Sequence, residues 1–176
     1  MTVLFLDIDG VMNDDEWIGS DERRERIDRW AREHGCSRWE AMAAQPAMDI
    51  RPHLAARVRR IVEATGCTVI LCSSWRHHHT EATMRDLLGS HGIPLHGVVP
   101  ELPTPKMSDY ISLATERTRA ILAHVATLAP GTRWVVLDDQ VGNPWAVEHG
   151  GRAVPPDDGV TEADADAVIA LLRGEA

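Results

Sequence analysis

Three short apolar runs, each closing on a reactive polar residue, constrain this chain more than any other feature. They are "VLFL" (3–6), "CTVILC" (67–72) and "WVVL" (134–137). None alternates apolar with polar, so each reads as a strand covered on both faces, the habit of a parallel sheet. "GVV" (97–99) and "GRAV" (151–154) are shorter candidates.

Helical periodicity fills the gaps between them. Over 52–65 it aligns Leu54, Val58, Ile61, Val62 and Thr65, and over 80–91 it aligns Met84, Leu87, Leu88 and His91. Over 108–129 it aligns Ile111, Ala114, Ile121, Leu122, Val125 and Leu128, and over 161–173 Ala165, Val168, Ile169 and Leu172. Thr80 and Thr161 stand where N-caps belong. Strands alternating with helices predict an α/β, Rossmann-like three-layer sandwich with a mainly parallel sheet and right-handed crossovers. At 176 residues the chain suits one domain, 1–176.

Residues 14–50 break the rhythm, because a first strand normally reaches its helix within a few residues. They hold a charged helix candidate at 21–34, Trp17, Trp30, Trp39, Met42 and Met48. This stretch is expected to be a small helical cap inserted after strand one. Its apolar residues either form a satellite core or face a substrate.

The strand ends carry the chemistry. The first is followed by Asp7 and Asp9, the second by Ser73, Ser74, Trp75 and Arg76, and the third long run by Asp138 and Asp139. The carboxyl ends of parallel strands share one sheet edge, where ligands bind. Three segments far apart in sequence therefore converge on one site.

Bulk properties narrow the partners. The charge is −9, with 18 basic and 27 acidic residues, which opposes tight nonspecific binding to long nucleic acid. A small phosphorylated substrate stays compatible, since a metal ion can reverse the sign locally. No apolar run approaches the ~18 residues of a membrane span, and no basic leader precedes the first strand. Cys36, Cys67 and Cys72 are odd in number and lack CxxC spacing, so reduced thiols and a cytoplasmic location are expected. "HHH" (77–79) reads as a solvated helix N-terminus, because adjacent residues in a helix start point in different directions; His77, nearest the serines, is the one that could reach substrate.

Asp7-Ile8-Asp9-Gly10, Ser73 and Asp138-Asp139, each after an apolar strand, together resemble the motifs of the haloacid dehalogenase (HAD) superfamily of phosphotransferases. The "DGVMN" and "CSSWR" flanks look most like the branch named for the Swiss-army-knife RNA repair proteins. The resemblance covers 1–13 and 52–155, not clearly 14–50. It implies a Mg²⁺-dependent phosphomonoester hydrolase acting on a nucleotide or a nucleic-acid end. Asp7 would be the nucleophile and Asp9 the general acid and base. Asp7, Asp9, Asp138 and Asp139 would form the metal site, with Asp139 preferred over Asp138 as the direct ligand from the acidic pair. Ser73 or Ser74 would bind phosphate. Asn143, four residues after Asp139, falls where the family often has a further metal-shell residue.

The family's third motif is a Lys or Arg before the acidic pair. Arg117, 21 residues before Asp138, is favoured; Lys106, the sole lysine and 32 residues before it, comes next, then Arg119. Two other readings compete: a phosphoaspartate signalling module of receiver type, and a noncatalytic nucleic-acid repair accessory.

Overall fold

A computed structural model describes residues 1–102 and 113–175. Five strands form one sheet: β1 (Thr2–Leu6), β2 (Thr68–Leu71), β3 (Leu95–Val98), β4 (Arg133–Leu137) and β5 (Arg152–Val154). All are parallel, in the order β3-β2-β1-β4-β5. A receiver would show the order 2-1-3-4-5. The observed order overturns the receiver reading.

The helices are α1 (Asp15–Ile18), α2 (Asp21–His34), α3 (Arg38–Ala44), α4 (Pro52–Thr65), α5 (Glu81–Ser90), α6 (Leu113–Val125), α7 (Asn143–Glu148) and α8 (Glu162–Arg173). Strand alternation sends Leu4 and Leu6 to one face of the sheet and Val3 and Phe5 to the other. On the first face they meet Leu54, Val58 and Ile61 of α4, Met84 and Leu88 of α5, and Val168 and Leu172 of α8. On the second they meet Ala120 and Ile121 of α6 and Ala146 of α7. The result is a three-layer α/β sandwich. Phe5 also takes His124 and Trp134 edge-on, at 5.6 and 6.0 Å between ring centres.

The helix expected over 108–129 ends earlier, at Val125, where the Leu128 N–H closes a turn onto the Val125 carbonyl at 3.0 Å. Ile111 and Lys106 lie outside the described residues. α7 escaped the periodicity because six residues complete fewer than two turns.

Residues 14–50 fold into α1, α2, α3 and a 3-10 turn over Pro46–Asp49. Ser20 and Ser37 cap α2 and α3, the latter in a reciprocal box with Glu40. Ile27, Ala31 and Ala41 are buried together, with Trp30, Met42 and Met48 packed around them. Trp17 is buried too, its indole N–H donating to the Met48 carbonyl at 3.0 Å. The segment leaves and returns through a neck where the Arg51 N–H donates to the Met12 carbonyl at 2.9 Å. The Arg51 guanidinium also reaches Asp14 at 2.6 Å. Among the described residues, no helix is long and apolar enough to cross a membrane.

Candidate active site

Register builds the site. Leu6 of β1 is level with Leu71 of β2 and Leu137 of β4. The next residue on each strand is therefore Asp7, Cys72 and Asp138. Backbone bonds carry the alignment one step past the strands: Asp7 N–H to the Leu137 carbonyl at 3.0 Å, and Cys72 N–H to the Leu6 carbonyl at 2.9 Å. Asp7, Ser73 and Asp138 are all buried.

Two fully buried carboxylates side by side need a cation. Arg117, on α6 and itself buried, supplies one. Its Nη1 donates to Asp7 Oδ2 at 2.5 Å and to both Asp138 oxygens at 2.9 Å. Of the two described candidates for the third motif, Arg117 is the one in contact with Asp7 and Asp138. Arg119, two residues on, is exposed. Burial and the neighbouring Asp138 charge push the Asp7 carboxyl up to about 7, against the opposing effects of Arg117, the Ser73 hydroxyl and the Ile8 N–H. Burial opposes the charge on Arg117, but Asp7 and Asp138 outweigh it and hold the guanidinium protonated. The Cys72 thiol, 3.7 Å from Asp138 Oδ2, is pushed far upward by burial and by the same carboxylates. It stays a thiol, and all three cysteines are free.

Asp139 stands beside this cluster. One oxygen from each of Asp7, Asp138 and Asp139 lies within 4.8 Å of the others. Asp139 Oδ1 is buried without a hydrogen-bond partner, and burial followed by the Asp138 charge raises its carboxyl. Gly10 makes the close approach possible. Its φ is +69°, and a Cβ there would sit 2.7 Å from Asp139 Cγ. An all-oxygen donor set with an orphaned carboxylate oxygen fits a small hard cation such as Mg²⁺.

The Asp9 carboxylate lies outside the group of three acids whose oxygens converge. Asn13 Nδ2 donates to its Oδ1 and the Trp75 indole N–H to its Oδ2, each at 2.9 Å. Asn13 Oδ1 in turn accepts from the Gly10 N–H at 2.9 Å. The turn after β1 thus aims Asp7 and Asp9 at different partners.

Ser73 caps a 3-10 turn over Ser74–His77, its hydroxyl accepting from the Trp75 N–H at 3.3 Å. Ser74, half-buried, opens that turn. Arg76 is committed to structure. Its Nη1 donates to the Cys72 and Ser73 carbonyls at 2.9 and 2.8 Å, and its Nη2 to Glu116. His77 faces Glu101 and Glu116 at 3.6 and 3.9 Å. Asn143 is no part of the acidic cluster: its Oδ1 accepts from the Ala153 N–H at 3.0 Å and fastens β5. No role at Asp9 was assigned to Trp75 or Asn13, and Glu116 was not singled out. The first two lie in the "CSSWR" and "DGVMN" flanks, which were the signal available for them.

An all-parallel sheet in this order, with DxD closing the central strand and an acidic pair closing its neighbour, defines the HAD superfamily of hydrolases. Within it the chain belongs to the family described as the HAD domain in Swiss Army Knife RNA repair proteins, whose model matches residues 3–165. That match runs through 14–50, which the motifs alone left outside the resemblance. No curated protein and no solved structure gives a significant match.

Proposed function

We propose that the protein is a Mg²⁺-dependent phosphomonoester hydrolase working through an aspartyl-phosphate on Asp7. The carrying observation is the buried Asp7–Arg117–Asp138 arrangement with the orphaned Asp139 oxygen beside it. A phosphoryl group repels a carboxylate nucleophile unless positive charge stands between them. Asp7, Asp138 and Asp139 would hold the ion. When bound, it supplies the charge that keeps Asp7 ionised and neutralises phosphate oxygens.

Asp7 is held for attack by its bonds to the Ile8 N–H at 2.7 Å and to Arg117. Its carboxylate oxygen forms a bond to phosphorus as the ester P–O bond breaks. Asp9, oriented by Asn13 and Trp75, gives its proton to the leaving oxygen. A water then loses a proton to Asp9 and attacks phosphorus. The bond to Asp7 breaks and inorganic phosphate leaves, with both carboxyls restored. Ser73 and Ser74 stand at the adjacent strand end as phosphate donors.

The family's association with RNA repair favours a nucleotide or nucleic-acid terminal phosphate as substrate, and the −9 charge favours the smaller of these. The purified protein with Mg²⁺ is expected to release phosphate from p-nitrophenyl phosphate or a mononucleotide panel, and Asp7→Asn to abolish it. Metal-independent release, or full activity in that variant, would sink the mechanism.

A further inference from the structure

The cap and the core enclose a cleft of about 480 Å³ that opens beside the proposed acid. Trp39 and Met42 of α3 line it from the cap, and Trp75, His79 and Asp9 from the core. The volume is that of a small-molecule site. Two features make it more than a gap. Trp39 is 79% exposed, a large indole left mostly open to solvent. Trp75 joins the cleft to the chemistry directly, because its indole N–H is the one that holds Asp9 Oδ2.

The lining also has a charge signature. Its one arginine, Arg23, is paired with Asp49 at 2.5 Å, and Asp9 adds a further negative charge. Among the described lining residues no unpaired Arg or Lys remains. Beyond the imidazoles of His78 and His79, a run of phosphates would find no free basic side chain among these residues. An uncharged planar ring would find two indoles, Trp39 and Trp75, in the lining. Its polar edge would meet a donor and an acceptor in Arg23 and Asp49.

We propose that this cleft is the leaving-group subsite, and that it takes the base of a single terminal nucleotide against Trp39 and Trp75. The inference rests on the phosphatase reading above, since it seats the leaving oxygen at Asp9. It adds the recognition of one nucleoside, and it excludes a tracked strand.

Trp39 is exposed enough to change without unfolding the chain, so Trp39→Ala and Trp39→Phe are the informative variants. In Trp39→Ala the ratio of kcat/KM for AMP to that for glycerol phosphate is expected to fall about tenfold, the typical effect of one stacked base. Trp39→Phe is expected to keep most of the preference. Independently of turnover, unphosphorylated adenosine should shift the indole N–H resonances of Trp39 and Trp75 saturably in the ¹⁵N-labelled protein. It should bind Trp39→Ala about tenfold more weakly. An unchanged ratio together with unchanged adenosine binding in Trp39→Ala overturns the subsite. A ten-residue oligonucleotide that binds far more tightly than AMP, with steep salt dependence, overturns the single-nucleotide commitment. Failure of the phosphatase reading is seen separately, as activity surviving in Asp7→Asn, while the adenosine titration still reports on the cleft.

Discussion

The guanidinium of Arg76 meets both carboxylate oxygens of Glu116 at 2.6 Å, one residue before the arginine that grips Asp7. The same guanidinium holds the last carbonyls before the serine turn. One buried side chain therefore ties the end of β2 to α6, and so sets how Arg117 arrives. Arg76→Ala would take the guanidinium from both carbonyls, leaving the Ser73 carbonyl only the residue-76 backbone N–H at 3.3 Å, and would remove the bidentate partner of a largely covered Glu116. It is expected to cost about 3 kcal/mol in urea denaturation, and to lower kcat more than it raises KM.

Arg117 is expected to serve stability as well as the proposed chemistry. Arg117→Ala leaves two buried carboxylates without a cation, a change expected to cost about 3–5 kcal/mol. Added Mg²⁺ should recover more of the melting temperature in this variant than in the wild type, because the ion then takes over the neutralisation. Arg117→Lys should fall between them, since one ammonium replaces a planar fork. Equal Mg²⁺ effects in wild type and Arg117→Ala would contradict this account.

The crowding at Gly10 gives a variant that separates fold from metal. Gly10→Ala places a side chain in left-handed backbone, at about 1–2 kcal/mol, and drives Asp139 away from its neighbours. Titration calorimetry should show Mg²⁺ binding weakened beyond what the small stability loss explains. Unaltered Mg²⁺ affinity would remove Asp139 from the ligand set.

Asp7 should prove destabilising to the metal-free fold. Its carboxyl rises from 3.8 to about 7 on folding, so between those values the unfolded chain sheds a proton that the folded chain keeps. Stability from this group is lost as pH climbs across that window. In EDTA at pH 8, Asp7→Asn is therefore expected to melt at or above the wild type, with the gap closing towards pH 4. A lower melting temperature at pH 8 would contradict the sign.

What was legible in the sequence was whatever the strands fix locally. Uninterrupted apolar runs announced the parallel sheet, and their ends announced Asp7 and Asp138, which share register, with Ser73 one residue past the level of Cys72. The span of α4 was readable from Pro52 and its apolar face. Spacing measured against the family's third motif favoured Arg117 over Lys106 and Arg119. The rest depended on how elements lie across one another. Arg76 and Glu116 are 40 residues apart, and Trp75 and Asp9 are 66 apart. No periodicity relates either pair. Asn143 shows the same limit: a suitable spacing from Asp139 placed it near the acids, yet the edge strand had a free N–H closer by.

The backbone neck at Met12 and Arg51 has an evolutionary reading. Everything that lines the cap side of the cleft hangs from a closed loop whose two ends are already bonded to each other. Additions or deletions at its far end need not disturb the register that aligns Asp7 with Asp138. A lineage could exchange its recognition module while inheriting its reaction centre intact, so substrate preference and catalytic ancestry can diverge at different rates within one short chain.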